Sequence, residues 1–119
     1  MAVTRTSGST LNLVLGTGPQ AGATVAALKL AEAAIERGHR VTVYAYGEGV
    51  RTGAQGSPTG EFVSGLARRA VHGGRFGWVA DRNAASRCSA AGQVAGVVAG
   101  DGGDLWRFVL DADVVLGVS

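Results

Sequence analysis

A single cysteine, Cys88, in 119 residues excludes an internal disulfide and argues for a reducing compartment. Charge is scarce as well: 17% of residues are charged, and the net charge is +2. No Lys/Arg cluster carries interleaved aromatics, so nucleic acid is not an expected partner. The pair Arg68 and Arg69 falls within a helical pattern and is expected to form a solvated face. No apolar run approaches the roughly 20 residues of a membrane span. The opening MAVTRTSGST lacks the apolar core of a signal peptide. A cytoplasmic location with no membrane partner is therefore expected. Spacings that would suit a metal are missing, as are a Ser/His/Asp elbow and a Gly-Lys-Ser/Thr phosphate loop, so neither a metal nor a cofactor is expected.

What is present is apolar and glycine-rich, with 46% hydrophobic residues and 20 glycines. This is the composition of a globular α/β chain. The length fits one domain, residues 10–119, preceded by a small polar leader, residues 1–9. The stretch 11–50 is the part around which the rest is organised. Leu11, Leu13, Val14 and Leu15 form a short apolar run, as in a strand buried on both faces. Gly16, Thr17, Gly18 and Pro19 end it. From about Ala23 the period becomes helical: Leu28, Ala31 and Ile35 share a face, flanked by Ala27, Leu30 and Ala34, while Lys29, Glu32 and Glu36 point away. Gly38 stands where a left-handed terminating residue belongs, and Val41, Val43 and Tyr44 open a second strand. This is a βαβ crossover, expected to be right-handed with parallel strands.

The remainder repeats the alternation. Residues 47–60 read as a long polar connection, of the kind that is often functional or mobile, with Val50 its one sizeable aliphatic. Residues 61–72 read as a helix with Phe62, Leu66, Val63 and Ala70 inside, stopped by Gly73 and Gly74. Residues 75–79 read as a third strand. Asp81 and Asn83 cap a short helix running to about Cys88. Residues 89–93 fit either a helical extension or a loop, and residues 94–99 a fourth strand. Asp104 is expected to cap a helix carrying Leu105, Trp106, Phe108 and Val109, before a last strand over 114–118. The fold class is therefore α/β, a three-layer α/β/α sandwich around a mostly parallel five-stranded sheet of Rossmann or flavodoxin type.

In such a sheet, ligands bind outside the carboxyl ends of the strands. That rim gathers Gly16, Thr17, Gly18, Tyr46, Glu48, Asp81, Arg82 and Asp101 into a candidate pocket for a small molecule or anion. Gly16 and Gly18 resemble the start of a dinucleotide fingerprint, but the third glycine, Gly22, comes one residue late and Pro19 occupies the turn. A turn that binds nothing is the simpler reading. Cys88 is the only candidate nucleophile, competing with a role as a small packing residue. His39 and His72 lie at helix ends and pair with it in no motif. Trp78 and Trp106 are expected as core or interface anchors.

An ordered set of small motifs carries a resemblance. Gly18-Pro19 follows the first strand, Gly38-His39 ends the first helix, and Tyr44, Tyr46 and Gly49-Val50 follow the second strand. Gln55-Gly56-Ser57-Pro58, Glu61-Phe62 and the closing LDADVVLGV of residues 110–118 complete the set. From Thr10 onward the chain resembles the DsrE/DsrF family, most closely its TusD/DsrE branch. The resemblance implies a five-stranded parallel fold, assembly into homo-oligomers or hetero-oligomers with other DsrE-like subunits, and cytoplasmic sulfur relay through a cysteine persulfide. In that family the cysteine ends the third strand. Here Ala80 and Asp81 occupy the motif position, and Cys88 lies about two helical turns later. The resemblance thus implies a sulfur-relay subunit that is not itself a carrier, or a sulfurtransferase-like carrier that uses Cys88.

Overall fold

A computed structural model describes residues 9–70, 76–88 and 92–119. Five strands, β1 (Thr10–Leu15), β2 (Arg40–Ala45), β3 (Phe76–Asp81), β4 (Val97–Gly100) and β5 (Val114–Val118), alternate with four α-helices. These are α1 (Gly22–Glu36), α2 (Gly60–Ala70), α3 (Arg82–Cys88) and α4 (Gly102–Asp111). The strands form one sheet in the order β4-β3-β2-β1-β5, and every pairing is parallel. The expected α/β fold class is what the chain adopts.

The first crossover follows its sequence pattern closely. Thr24, Ala27, Leu28, Ala31 and Ala34 form the buried stripe of α1, packed on Leu13, Leu15, Val41 and Val43 of the sheet. Leu30, read as part of that stripe, is exposed instead. At the end of the helix Gly38 takes φ +86°. Its N–H bonds the Ile35 carbonyl at 3.0 Å, and the His39 N–H bonds the Ala34 carbonyl at 2.9 Å, closing a Schellman motif. β1 also holds a buried polar residue. Asn12 is fully buried and donates its amide to the Thr42 carbonyl at 3.2 Å and hydroxyl at 3.0 Å, so the apolar run of this strand is interrupted on one face.

Four details differ from the sequence reading. Residues 47–60 are not an open loop: a 3₁₀ helix spans Gly47–Gly53, and Gly49, Val50, Thr52 and Gly53 are buried. β3 continues through Ala80 and Asp81, because Ala80 is small enough to lie fully buried beside Ala45. β4 starts only at Val97. The preceding Ala54 and Gln93 form an isolated antiparallel bridge instead. Asp101, not Asp104, caps α4; it accepts from the Gly103 N–H, while Asp104 reaches back to the Asp101 N–H at 3.0 Å. The leader up to Gly8, the stop at Gly73 and Gly74, the end of the second helix at His72, Arg75, and residues 89–91 lie outside the described residues, as does the side chain of Ala70.

The core is the face packed by α1, α2 and α3, with Trp78, Val63, Leu66, Val50 and Ala84 all buried there. Among the described residues, α4 alone packs against the opposite face, where Phe108 lies over the bare backbone of Gly77 beside Thr42. Gly49 is the tightest approach: a Cβ there would overlap the Leu15 carbonyl. Gly49→Ala is therefore expected to cost about 1–3 kcal/mol through overpacking. Gly22→Ala, with open space at its Cβ, should leave stability unchanged or raise it. Urea denaturation of the two variants measures both.

Candidate functional site

All five strands point their carboxyl ends at one rim, so the turns after β1, β2, β3 and β4 meet there. The turn after β1 is held from both sides. The Gly16 N–H bonds the Val118 carbonyl at 2.8 Å, and the Tyr46 N–H bonds the Leu15 carbonyl at 3.0 Å. Thr24, buried in the first turn of α1, donates its hydroxyl to the Thr17 carbonyl at 3.2 Å. The Thr17 hydroxyl stands 2.5 Å from that of Thr24 and is left to act as the donor between them. The Tyr46 ring covers Gly16 so closely that a Cβ there would collide with it. The turn is thus a rigid clasp whose own hydroxyls are already engaged.

Beyond it the start of α1 is open. Its N-cap, Ala21, provides no side-chain acceptor, and no acidic residue occupies the first turn. Beside it, Gly18, Pro19, Gln20, Ala21, Glu48 and Arg51 line a cavity of about 400 Å³. Arg51 pairs with Glu48 at 2.6 Å on the surface of the 3₁₀ helix. The hydrogen bond and charge of Glu48 raise the guanidinium above its ordinary value, and the charge of Cys88 adds to this. The Arg51 Nη1 also reaches the Cys88 carbonyl at 3.4 Å. Arg51 was not among the residues singled out by sequence; its three-residue spacing from Glu48 on a helical turn is the signal that could have found it. Cys88 itself is the last described residue of α3 and is half-buried.

A second group forms around the tip of β3. The Tyr44 hydroxyl donates to Asp81 Oδ1 at 2.9 Å, and Asp81 Oδ2 accepts the Ala84 N–H at 3.0 Å, capping α3. Both carboxylate oxygens are therefore in use. Burial, then the Asp81 hydrogen bond and the charges of Asp81, Asp101 and Asp104, push the Tyr44 phenol up to about 12. Arg82 reaches the Ala99 carbonyl at 3.5 Å. Asp104 is held below the usual carboxylate range, first by the Asp101 N–H and then by Arg107. The residues named from sequence thus fall into two clusters. Gly16, Thr17, Gly18, Tyr46 and Glu48 belong to the first, and Asp81, Arg82 and Asp101 to the second. Only Gly18 and Glu48 of these line the cavity beside α1. Among the described residues, no three His, Cys, Asp or Glu side chains stand close enough to hold a metal.

No protein-family model and no curated protein sequence matches this chain. Solved structures do. The ychN protein from E. coli shares 17% identity over 92% of this chain and 98% of its own, with a TM-score of 0.77. The protein of unknown function MTH1491 from Methanobacterium thermoautotrophicum shares 15% identity over 91% of this chain and 98% of its own, with a TM-score of 0.73. At such identities the likeness is one of fold. It is the DsrE-like fold, which supports the resemblance read from the sequence.

The Tyr44–Asp81 bond has a pH signature. A phenol whose folded pKa exceeds its unfolded value contributes stability fully below the unfolded value and loses it as pH rises through the folded one. Stability should therefore fall between pH 10 and about 12 more steeply in the native chain than in Tyr44→Phe. Denaturation curves collected across that range compare the two slopes.

Proposed function

We propose that this chain is a DsrE-like subunit of a cytoplasmic sulfur-relay assembly, and that it does not itself carry the persulfide. The observation that supports this reading is the tip of β3. Persulfide transfer requires a thiolate, exposed where a donor persulfide can approach in line, so that its sulfur attacks the outer sulfur and the donor thiolate leaves. At the tip of β3, Ala80 is buried and carries no thiol, and Asp81 has both oxygens committed to Tyr44 and Ala84. The reading needs no cofactor.

Assembly is supported by the surface. α4 exposes Trp106 and Leu110, one helical turn apart, at 67% and 76% of their full areas. Val98 on β4 is exposed as well. Large apolar side chains exposed on a helix face are characteristic of protein contacts, and tryptophan is a frequent binding anchor. Such a subunit offers a scaffold and a rim to carrier subunits.

A second reading, a carrier that uses Cys88, is favoured by one contact: Arg51 Nη1 reaches the backbone carbonyl of Cys88 at 3.4 Å, so a guanidinium stands near the chain's one cysteine. Incubation with a cysteine desulfurase, cysteine and relay partners separates the two. Intact-mass spectrometry is expected to show no retained sulfur on this chain. A one-sulfur adduct that disappears in Cys88→Ser would replace the scaffold reading with the carrier one. For the assembly, Trp106→Glu is expected to leave circular dichroism unchanged and to lower the mass seen by light scattering. An unaltered mass would remove α4 from the contact.

A further inference from the structure

β5 is the outermost strand next to β1, and four of its five residues are exposed. Val114, Val115 and Leu116 are all at least 41% exposed. In β1, residues paired with this strand run parallel to it: Leu11 with Val114, Leu13 with Leu116 and Leu15 with Val118. Val118 turns its carbonyl inward to the Gly16 N–H. Backbone groups alternate sides along a strand, so those of Leu116 also face β1, while the N–H and C=O of Val115 and Gly117 face outward. Among the described residues, nothing blunts this edge. It contains no proline and no charged side chain, the devices by which exposed edges ordinarily avoid pairing.

The geometry points to a two-fold contact in which β5 pairs antiparallel with β5 of a second copy of this chain, centred on Leu116. This register is set by the outward groups. An axis at Leu116 places Val115 opposite Gly117 of the partner, and the two exchange N–H and C=O on both sides of the axis. Side chains agree with it on each face of the sheet. On the face of α4, Val115 projects over the partner's Gly117, where a Cβ would meet nothing within 4 Å; by symmetry the fit occurs twice. On the face of α1, the two Leu116 side chains meet as a non-hydrogen-bonded pair, the closer kind of cross-strand neighbour. Each then lies at a groove lined by Leu11, Leu30, Ala34, Val114 and Leu116 itself, with Ser9, Thr10 and His39 at its polar end. A second copy is favoured over another partner because the edge is self-complementary under this one axis, and because a strand without charge presents no repulsion to its own image. The contact adds a surface distinct from α4 and does not depend on sulfur chemistry.

Disulfide trapping in the full chain tests the register, with Cys88→Ser as the background. Leu116→Cys is expected to form a disulfide-linked dimer on mild oxidation, since its symmetry mate is the nearest cross-strand residue. Val115→Cys faces a glycine and is expected to yield several-fold less. Independently, exchange of the Val115 and Gly117 amides should slow as protein concentration rises. A chain that is monomeric in light scattering, cross-linking equal at both positions or absent at Leu116, or amide exchange independent of concentration would each overturn the proposal. None of these readouts changes with the outcome of the desulfurase experiment.

Discussion

The handedness of parallel crossovers governs this molecule. From β1 to β2, β2 to β3 and β3 to β4 the chain steps across the sheet in one direction. Right-handed connections then put α1, α2 and α3 on the same face. The return from β4 to β5 crosses the whole sheet the other way, so α4 lies alone on the opposite face. Five strands at about 4.8 Å spacing are roughly 19 Å across, and one helix is about 10 Å wide. A single helix therefore covers about half of that face. Val98, Val115 and the outer side of α4 remain uncovered as a consequence of strand order, not of a poor core. Val114 and Leu116, on the other face, are exposed for a different reason: they stand on the strand at the edge of the sheet.

The same topology gathers the rim and also divides it. Side chains alternate across a strand, so neighbouring positions at a strand tip serve opposite faces. Tyr44 and Asp81 lie on the side of α4, where the backbone of Gly100 passes against Asp104. Glu48, Arg51 and the start of α1 form a separate group, fixed in place because Gly49 lets the 3₁₀ helix touch the Leu15 carbonyl. A sequence places residues at the ends of strands; it does not say on which side of the sheet each one turns.

That difference explains what was legible. The βαβ unit was readable because a doubly buried strand, an apolar helical stripe and a left-handed glycine each leave a local mark, and Gly38 carries the last of them. The fourth helix is legible but its cap is not, since Asp101 and Asp104 suit an N-cap equally and only the backbone decides for Asp101. The segment 47–60 reads as a polar connection for a reason of size. Its buried residues are Gly49, Val50, Thr52, Gly53, Ala54 and Gly60, small groups whose burial depends on close backbone approach more than on side-chain hydrophobicity. Asn12 leaves no local mark because its partner, Thr42, is thirty positions away on another strand.

The tip of β3 shows how the start of a helix draws a negative charge to itself. A group at the end of a strand that feeds directly into a helix faces free N–H groups and the positive end of the helix dipole. A cysteine at such a point would be favoured as a thiolate by that field. Asp81 meets the same field with a carboxylate, taking the Ala84 N–H on one oxygen and the Tyr44 hydroxyl on the other. The requirement for an anion at the start of α3 is thus satisfied by a residue that cannot form a persulfide. Local electrostatics asks only for negative charge there; whether that charge also does chemistry depends on the atom that bears it.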